Sequence, residues 1–371
     1  MCVVHTGAFP DKPDLRPLLV RDPQPFAGLS PDTCDRLLAA AARHGLLSAV
    51  AGRLPPDDAG LGERWRHLER GARLRDARLR EVLEEVLRVL AAAGVTPIAL
   101  KGPVLADRLY PDPGLRPSTD LDLLVPEAAL DRAVAALAGV GFGRSAPLVD
   151  AYQRRHHHHL HLPRQPGPDV ELHFRPHSAC GARLPAAAFI ARALPYRTAR
   201  GTPVQILSPE DELVALAIHA TGHLLERGAW LLDLLLFVER YPLLDWATIA
   251  KRSVEFRCRR SVAYALDEVR RLGGSVPSPA GLRLGTRRSA VAAALGRWAL
   301  AGKGRLGTGL RMAFELVLWD RSWCTPAYVM REGGWFLRRR AHLVARWLTG
   351  RVPRRAPPGP RSTRGGTKSK A

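Results

Sequence analysis

The stretch ALKGPVLADRLYPDPGLRPSTDLDLLV, residues 99–125, decides the fold. It predicts the end of a strand, a glycine turn, a short helix, a loop and a second strand. Asp120 and Asp122 lie two residues apart in that second strand, so their carboxylates point the same way while the leucines beside them face the core. Two neighbouring carboxylates repel each other unless a cation lies between them. Oxygen ligands of this kind suit Mg²⁺ or Mn²⁺.

A glycine turn precedes the short helix. Lys101, Gly102 and Pro103 follow the apolar run at 95–100, and proline fits the first turn of a helix because no N–H is needed there. A glycine turn that leads into a helix presents backbone N–H groups to an anion such as phosphate. Acids that bind a cation beside such a turn indicate metal-assisted phosphoryl or nucleotidyl transfer. A solvated turn beside a pair of surface aspartates fits the spacing as well, since both motifs are common.

These residues resemble the uncharacterised nucleotidyltransferase family, which belongs to the DNA polymerase β-like superfamily. The resemblance rests on KG at 101–102, LYP at 109–111, G-x-R at 114–116 and D-x-D-L-L-V at 120–125. It covers most of residues 95–246 and, more loosely, the helical residues that follow. The superfamily pattern is a glycine turn, a D-x-D strand and a third acid on a later neighbouring strand.

The third acid is expected on a β-hairpin. The segment 154–162 predicts a strand, PRQPGP at 163–168 a turn, and DVELHF at 169–174 the returning strand. On the returning strand Glu171 and His173 share a face. The resemblance implies that Glu171 is the third carboxylate, because ELHF matches the family's acid, apolar residue, histidine and aromatic residue. Aspartate is more usual there, and the longer glutamate displaces a ligand by about 1 Å, which lowers the rate if the backbone does not compensate.

The first strand of this hairpin contains the histidine run RRHHHHLHL at 154–162. A strand divides these residues between two faces, with His157, His159 and His161 on one and His156, His158 and Leu160 on the other. Consecutive strand residues point in opposite directions, whereas zinc needs a fixed tetrahedral set of ligands. We therefore predict an incidental basic strand rather than a metal site. Stacking or phosphate contact by one of the histidines stays open.

A second candidate group lies in the helical half of the chain. The segment 208–211 predicts a helix start, with a serine N-cap, a proline and acids in the first turn. In that helix His219 and His223 lie four residues apart and share a face. This is not the zinc-protease motif, because Ala220 stands where the general-base glutamate would be. The pair predicts either core packing or a substrate groove facing the catalytic sheet; the resemblance favours the groove, with Asp233 of the next helix as partner.

The order of elements predicts an α+β fold in which a small mixed β-sheet core is flanked by helices. Besides the hairpin, strands are expected at 95–100, 120–125 and 204–207, and a further strand is expected to begin at Gly141-Phe142. Helices are expected at 34–50, 62–93, 104–110, 126–140, 230–241, 245–254, 261–272, 288–301 and 306–318. We divide the chain into an N-terminal helical region (1–94), a nucleotidyltransferase core (95–207), a helical C-terminal domain (208–350) and a disordered basic tail (351–371).

The charge and composition of the chain limit the classes of protein to which it can belong. The net charge is +21, but the basic residues are almost all arginines, which is typical of GC-rich coding and weakens any inference from charge to nucleic acid. No apolar run approaches the roughly 18 residues of a membrane span, and no secretory signal is expected from the N-terminal sequence. The five cysteines are scattered and odd in number, so we expect a reducing, cytoplasmic setting.

Two basic segments follow the last predicted helices. Gly334–Thr349 combines apolar residues with arginines and predicts a docked terminal helix, with a helix on a membrane surface as the alternative. The residues from Val352 onward are rich in proline, glycine and basic side chains and predict disorder. Such a tail can contact polyanions nonspecifically.

The resemblance implies a metal-dependent nucleotidyltransferase. An NMP group would pass from a nucleoside triphosphate to an unidentified hydroxyl on a small molecule, peptide or protein, with release of pyrophosphate. The catalytic residues, which would hold Mg²⁺ or Mn²⁺, are Asp120, Asp122 and Glu171. The nucleotide would contact Lys101, Gly102, Arg116, Ser118 and His173. The alternatives are a catalytically degenerate nucleotide- or partner-binding module of the same fold, and a basic nucleic-acid binder with salt-dependent affinity.

Overall fold

The fold is built around a β-sheet in which apolar residues alternate with the candidate acids along two neighbouring strands. The computed structural model describes residues 15–20, 24–54, 59–143, 147–177, 182–277, 282–301 and 304–320. Within these ranges the strands are β1 (Ile98–Ala99), β2 (Asp120–Leu124), β3 (His159–Leu162), β4 (Asp169–His173), β5 (Leu194–Arg197) and β6 (Pro203–Ile206). The α-helices are α1 (Arg16–Leu19), α2 (Pro31–Arg43), α3 (Leu47–Val50), α4 (Ala59–Ala92), α5 (Pro103–Leu109), α6 (Leu130–Ala138), α7 (Pro147–His156), α8 (Ala186–Ile190), α9 (Pro209–Gly222), α10 (Gly228–Arg240), α11 (Trp246–Glu255), α12 (Arg259–Arg271), α13 (Thr286–Ala301) and α14 (Gly304–Leu318).

The described strands form one mixed sheet in the order β3-β4-β2-β1-β6-β5. β2 runs parallel to β4 and β1 runs parallel to β6, whereas the other neighbouring strands are antiparallel. The register of β2 and β4 pairs Asp122 with Glu171. The predicted α+β fold, with a small mixed sheet flanked by helices, is confirmed.

The sheet separates two hydrophobic clusters. Leu121, Leu123 and Leu172 pack on one face, together with apolar residues of α4 and α6. Ile98 and Leu124 belong to the other cluster, which includes residues of α5, α9 and α10. Because side chains alternate along a strand, the candidate acids of β2 point to the same side as Leu124. The polar part of the sheet therefore faces the helices α5, α9 and α10.

Two buried ion pairs hold α9 and α10 on that side of the sheet. Arg108 of α5 donates hydrogen bonds to both carboxylate oxygens of Glu212 in α9. Arg116, in the loop before β2, donates to both oxygens of Asp233 in α10 at 2.8 and 2.7 Å. Breaking a buried pair of this kind leaves a charge without a partner, so both pairs fix the register of the helices against the core.

The turn between β1 and α5 has the predicted form. Gly102 has φ +76° and ψ −145°, a conformation that residues with a Cβ rarely adopt, and it is the N-cap of α5. Pro103 occupies the first helical position, as predicted. The backbone N–H of Leu100 donates to the carbonyl of Asp122 at 3.1 Å, so the turn leaves the sheet directly beside β2.

Three predicted elements differ from the structure. Residues 154–156 end helix α7 instead of beginning a strand, because Arg154 forms an ion pair with Asp150 one helical turn earlier at 2.7 Å. The strand predicted at Gly141-Phe142 is wrong: the Phe142 ring is buried in the core, and the next N–H, of Gly143, donates to the carbonyl of Pro163. The helix predicted at 34–50 is broken between α2 and α3, where Gly45 has φ +73°.

Several predictions lie outside the described residues. They concern the helix at Gly334–Thr349, the tail at 351–371, and the cysteines Cys2, Cys180 and Cys324. The described residues fall in the compact unit Met1–Arg321. The division of that unit at residues 94 and 207 stays a prediction. Among the helices that the structure describes, none has the length and hydropathy of a membrane span.

Candidate active site

The candidate site is built on β2 and β4, where parallel pairing sets Asp122 beside Glu171. His173 lies on the same face of β4, two residues beyond Glu171. Its Nε2 is 3.1 Å from Asp122 Oδ1 and 3.6 Å from Glu171 Oε2. One possible ligand atom from each of these three side chains lies within 4.8 Å of the other two. Lys101 lies beside these three side chains, and we call the four residues Asp122, Glu171, His173 and Lys101 the carboxylate cluster.

Lys101 reaches the cluster from the glycine turn. Its Nζ is 2.8 Å from Asp122 Oδ1, the same oxygen that His173 contacts, and the Asp122 side chain is only 2% exposed. Burial by itself lowers the pKa of Lys101, but the carboxylates of Asp122 and Asp120 outweigh it and hold that pKa above its ordinary value. Burial raises the pKa of Asp122, yet Lys101 and His173 hold it well below the ordinary value. Asp122 is therefore ionised at neutral pH.

The remaining acids respond to the same charges in opposite directions. Burial raises the pKa of Glu171, but the hydrogen bond with His173 outweighs this and lowers it. Burial and the charge of Asp122 raise the pKa of Asp120 in spite of Lys101. Asp120 shares a strand with Asp122, but among the described residues it is not part of the group whose ligand atoms lie within 4.8 Å. Asp122 and Glu171 are thus two carboxylates that the fold brings within 4.8 Å of each other.

Arg116 and Ser118, both proposed as nucleotide contacts, lie in the loop before β2 and bond to each other. Besides its two bonds to Asp233, the buried Arg116 guanidinium donates to Ser118 Oγ at 2.7 Å. The Tyr110 hydroxyl also donates to Asp233, at 2.6 Å. Asp233 was expected to be a partner of the histidine pair on α9, whereas its hydrogen bonds here go to Arg116 and Tyr110. The aspartate therefore anchors the loop that precedes β2.

Two members of the histidine run lie against the carboxylate cluster. His159 Nε2 is 3.6 Å from Glu171 Oε1, and its ring centroid is 5.1 Å from that of His173. Burial, helped by His173, lowers the pKa of His159 to about 4. The ring of His158 stacks on that of His177 at 4.5 Å. These contacts make His158 and His159 part of the surroundings of the site, in place of the incidental basic strand that we predicted.

A second group of histidines lies next to this stack, and we call His177, His219 and His223 the imidazole cluster. The ring centroids of His219 and His223 on the α9 face are 4.8 Å apart, and His177 is 5.5 and 6.0 Å from them. Trp230 of α10 packs on both α9 rings at 5.1 and 5.0 Å. Burial lowers the pKa of all three histidines, to about 4 for His223. The cluster is therefore neutral at pH 7.

Sequence reasoning identified part of this arrangement. It found the acids, Lys101 and the α9 pair, but not His177, which lies in the segment after β4 and has no motif around it. Its only local signal is its position four residues beyond His173, at the end of a polar strand face. A single histidine in a turn is usually solvated, so only the packing of α9 distinguishes this one.

A known protein family matches the part of the chain that contains this site. The model of a family described as uncharacterised nucleotidyltransferase matches residues 30–274. The match runs from the residue before α2 to the end of α12 and includes both clusters. No curated protein shows a significant match to the chain.

Proposed function

The chain belongs to the uncharacterised nucleotidyltransferase family, and on that basis we propose that it transfers an NMP group from a nucleoside triphosphate to a hydroxyl acceptor. Family membership supports nucleotidyl transfer as the general activity. The observation that carries the finer proposal is the carboxylate cluster. Two ionised acids on adjacent parallel strands share a buried face with a lysine that extends from a glycine turn.

Asp122 and Glu171 fit a divalent cation of the Mg²⁺ or Mn²⁺ type. Both offer hard oxygen donors, both are held ionised by their neighbours, and their ligand atoms lie within 4.8 Å of each other. Asp120, on the same face of β2, is the third carboxylate of the proposed set. When bound, the cation would stabilise negative charge on the phosphoryl oxygens.

Lys101 supplies the positive charge of the site before nucleotide binds. Its ammonium neutralises Asp122, and its flexible stem allows it to turn from that carboxylate towards the triphosphate. His173 keeps its own contact with Asp122 during this change and so fixes the orientation of the carboxylate. Lys101 then offsets charge on the phosphates beside the Gly102 turn.

Glu171 is the proposed proton acceptor. Its side chain is partly exposed and ionised, so it can accept a hydrogen bond from the incoming hydroxyl. As the acceptor oxygen forms a bond to the α-phosphorus, the bond from that phosphorus to the bridging oxygen breaks and pyrophosphate leaves. The proton of the hydroxyl passes to Glu171.

Arg116 and Ser118 have different parts in this proposal. The buried Arg116 is committed to Asp233, so it positions Ser118 rather than touching phosphate. Ser118 is half-buried, and its hydroxyl, which accepts a hydrogen bond from Arg116, can still donate one to the nucleotide. Replacing Arg116 would therefore act on the nucleotide through the loop.

The test is release of pyrophosphate from each of the four nucleoside triphosphates with Mg²⁺ or Mn²⁺ and panels of small alcohols, peptides and proteins. Asp122→Asn should lower the rate by about 100-fold or more, because it removes a charge that acts at the reacting centre. The matched control is Asp112→Asn, which removes a carboxylate paired with Arg73 at the surface. Equal rates for the wild type and Asp122→Asn would contradict the assignment of the carboxylate cluster.

A binding-only module is the second candidate, and one observation favours it. The ammonium of Lys101 already occupies the position beside Asp122 that a cation would need. Calorimetric titration with nucleoside triphosphate and Mg²⁺ separates the two candidates. Tight binding without pyrophosphate release across the acceptor panels would identify the module.

A further inference from the structure

We propose that the imidazole cluster is a binding site for a transition-metal ion of the Zn²⁺ class, separate from the carboxylate cluster. Its ligands are His219 of α9, His223 at the C-cap of α9 and His177 from the segment after β4. One ring nitrogen from each lies within 4.8 Å of the other two. This inference does not depend on nucleotidyl transfer, since it concerns nitrogen donors that the proposed reaction does not use.

The ring arrangement matches three histidines around one ion. A nitrogen at roughly 2.0–2.1 Å from Zn²⁺ puts the ring centroid about 3.2 Å from the metal, and tetrahedral angles then separate the centroids by about 5 Å. The observed separations are 4.8, 5.5 and 6.0 Å, so closing of the group by under an ångström suffices. The plane of the His177 ring is nearly perpendicular to those of the other two rings, at 84° and 82°, so His177 does not stack on either of them.

A buried nitrogen without a partner points to a ligand. His177 is 7% exposed, and its Nδ1 makes no hydrogen bond to any described residue. A buried polar atom left in this way destabilises the folded chain unless something binds it. His173 differs, because its two nitrogens lie near Asp122 and the carbonyl of Arg175. The buried Nδ1 of His159 also makes no hydrogen bond to any described residue, so the choice of the imidazole cluster over the alternative group of His158, His159 and His173 rests on the engaged nitrogens of His173.

The backbone next to the cluster is strained. Leu224 and Leu225, directly after His223, have φ values of +60° and +52°, and both side chains are buried. Leucine rarely adopts this conformation, because its Cβ comes too close to the following carbonyl oxygen. The surrounding packing holds this turn, and such strain concentrates at functional sites. The turn ends α9 at the point where His223 faces His177.

The charge around the cluster allows a cation. The imidazoles are neutral at pH 7, which is the form that binds metal. The positive charge of Lys101 acts on all three rings, and that of Arg311 adds to it at His223. The carboxylate of Asp122 opposes this charge at His219 and His223, and Glu171 does so at His223. Three histidines leave a fourth position of a tetrahedral ion for water or a substrate group. Such an ion would also link the segment after β4 to α9.

Metal binding by the full chain tests the proposal directly. Chelator-treated protein is titrated with Co²⁺ while its visible absorption is recorded, and Zn²⁺ is then used as competitor, with excess Mg²⁺ present throughout. We expect one tight equivalent with the spectrum of a four-coordinate ion and a rise in Tm on Zn²⁺ binding. His223→Gln and His177→Gln should each weaken binding by about 100-fold or more, since loss of even an outer partner costs up to about that much.

Two controls keep the result specific. His161→Gln changes a histidine of the run that bonds to Asp169 and lies outside the cluster, and it should retain the equivalent. Asp122→Asn should also retain it while losing pyrophosphate release, so failure of this site and failure of the transferase proposal are distinguishable. Circular dichroism and thermal melting show whether each variant is folded. The proposal is overturned if the wild type binds no tight equivalent of metal. It is also overturned if the metal lies nearer the carboxylate cluster, which would be seen if His159→Gln or Asp122→Asn abolishes metal binding while His177→Gln and His223→Gln retain it.

Discussion

The carboxylate cluster and the imidazole cluster are neighbours, joined through the ring of His158, and burial disfavours charge in both, but it prevails in only one of them. In the carboxylate cluster, opposite charges outweigh burial, so Asp122 stays ionised and the pKa of Lys101 rises. In the imidazole cluster, no carboxylate within the described part of the chain forms an ion pair or hydrogen bond with the rings. Burial therefore dominates, and the rings stay neutral. The comparison teaches that partner chemistry decides whether a buried group is charged. The donor atoms differ as well: the two proposals assign hard cations to the oxygens of one cluster and a borderline cation to the nitrogens of the other.

The largest effect that sharpens this comparison is expected from Lys101→Met. The change leaves the Asp122 carboxylate buried without its main counter-charge, and breaking a buried pair costs about 3–5 kcal/mol. Urea unfolding at pH 7 measures this loss in the free energy of unfolding. Lys251→Met, at an exposed position of α11, is the control and should change the free energy by less than about 0.5 kcal/mol. Equal losses in the two variants would mean that Lys101 does not stabilise the buried charge.

The pH dependence of stability separates the two clusters. The pKa of His223 is lowered from an ordinary value of 6.5 to about 4 in the folded protein. Between pH 6.5 and 4, His223 is therefore protonated in the unfolded chain but not in the folded chain. The free energy of unfolding should therefore fall by up to about 1.4 kcal/mol per pH unit for each such histidine between pH 6.5 and 4. The pKa of Asp122 is lowered instead, so its contribution is present above its ordinary value of 3.8 and is lost as the pH falls below it.

His223→Gln tests the assignment of that pH window. The variant should have a shallower fall in stability between pH 6.5 and 4 and an unchanged fall at lower pH. Chelator-treated protein is used, so that metal release does not contribute to the slope. The same slopes in wild type and variant would show that His223 is not neutral in the folded chain.

The local features of these clusters followed from the sequence, whereas their meeting did not. Strand periodicity put Asp120 and Asp122 on one face, and a glycine before a proline predicted a turn at Gly102 that leads into a helix. The pairing of Asp122 with Glu171 joins strands separated by some fifty residues, which no local pattern specifies; only the family resemblance suggested it. The edge strand β5, LPYR, has a proline and almost no buried residues, so it lacked the alternation that reveals a strand.

The histidines show the same limit more clearly. The run at 154–162 has no apolar period in its first half, so the sequence predicts a strand where the structure has the end of α7. His177 could not be selected, because its contacts come from α9, and the docking of α9 depends on pairs such as Arg108 with Glu212. Residues whose role depends on contacts between distant elements are those that a single sequence does not reveal.

A double substitution tests whether the ion pair of the carboxylate cluster is needed for stability or only for function. Lys101→Met combined with Asp122→Asn removes both charges, so no buried charge remains unpaired. Replacing both partners is often nearly neutral, and we expect a loss of about 1 kcal/mol, smaller than that of Lys101→Met alone. Urea unfolding of the four proteins of the cycle measures the coupling. Additive losses would show that the two side chains do not interact.

The smallest effect is expected when a phenylalanine replaces one histidine from each cluster in metal-free protein. In His177→Phe, an aromatic ring stays in place while the buried Nδ1 that lacks a hydrogen bond is removed, so stability should change by less than about 1 kcal/mol. His173→Phe removes a nitrogen bonded to the buried Asp122, and the loss should reach about 2 kcal/mol because a charged acceptor is left with one partner fewer. Both are measured by urea unfolding after treatment with chelator. A loss at His177 as large as that at His173 would mean that the Nδ1 of His177 has a partner in the metal-free protein. The contrast between a carboxylate cluster with bonded nitrogens and an imidazole cluster with a free one would then be wrong.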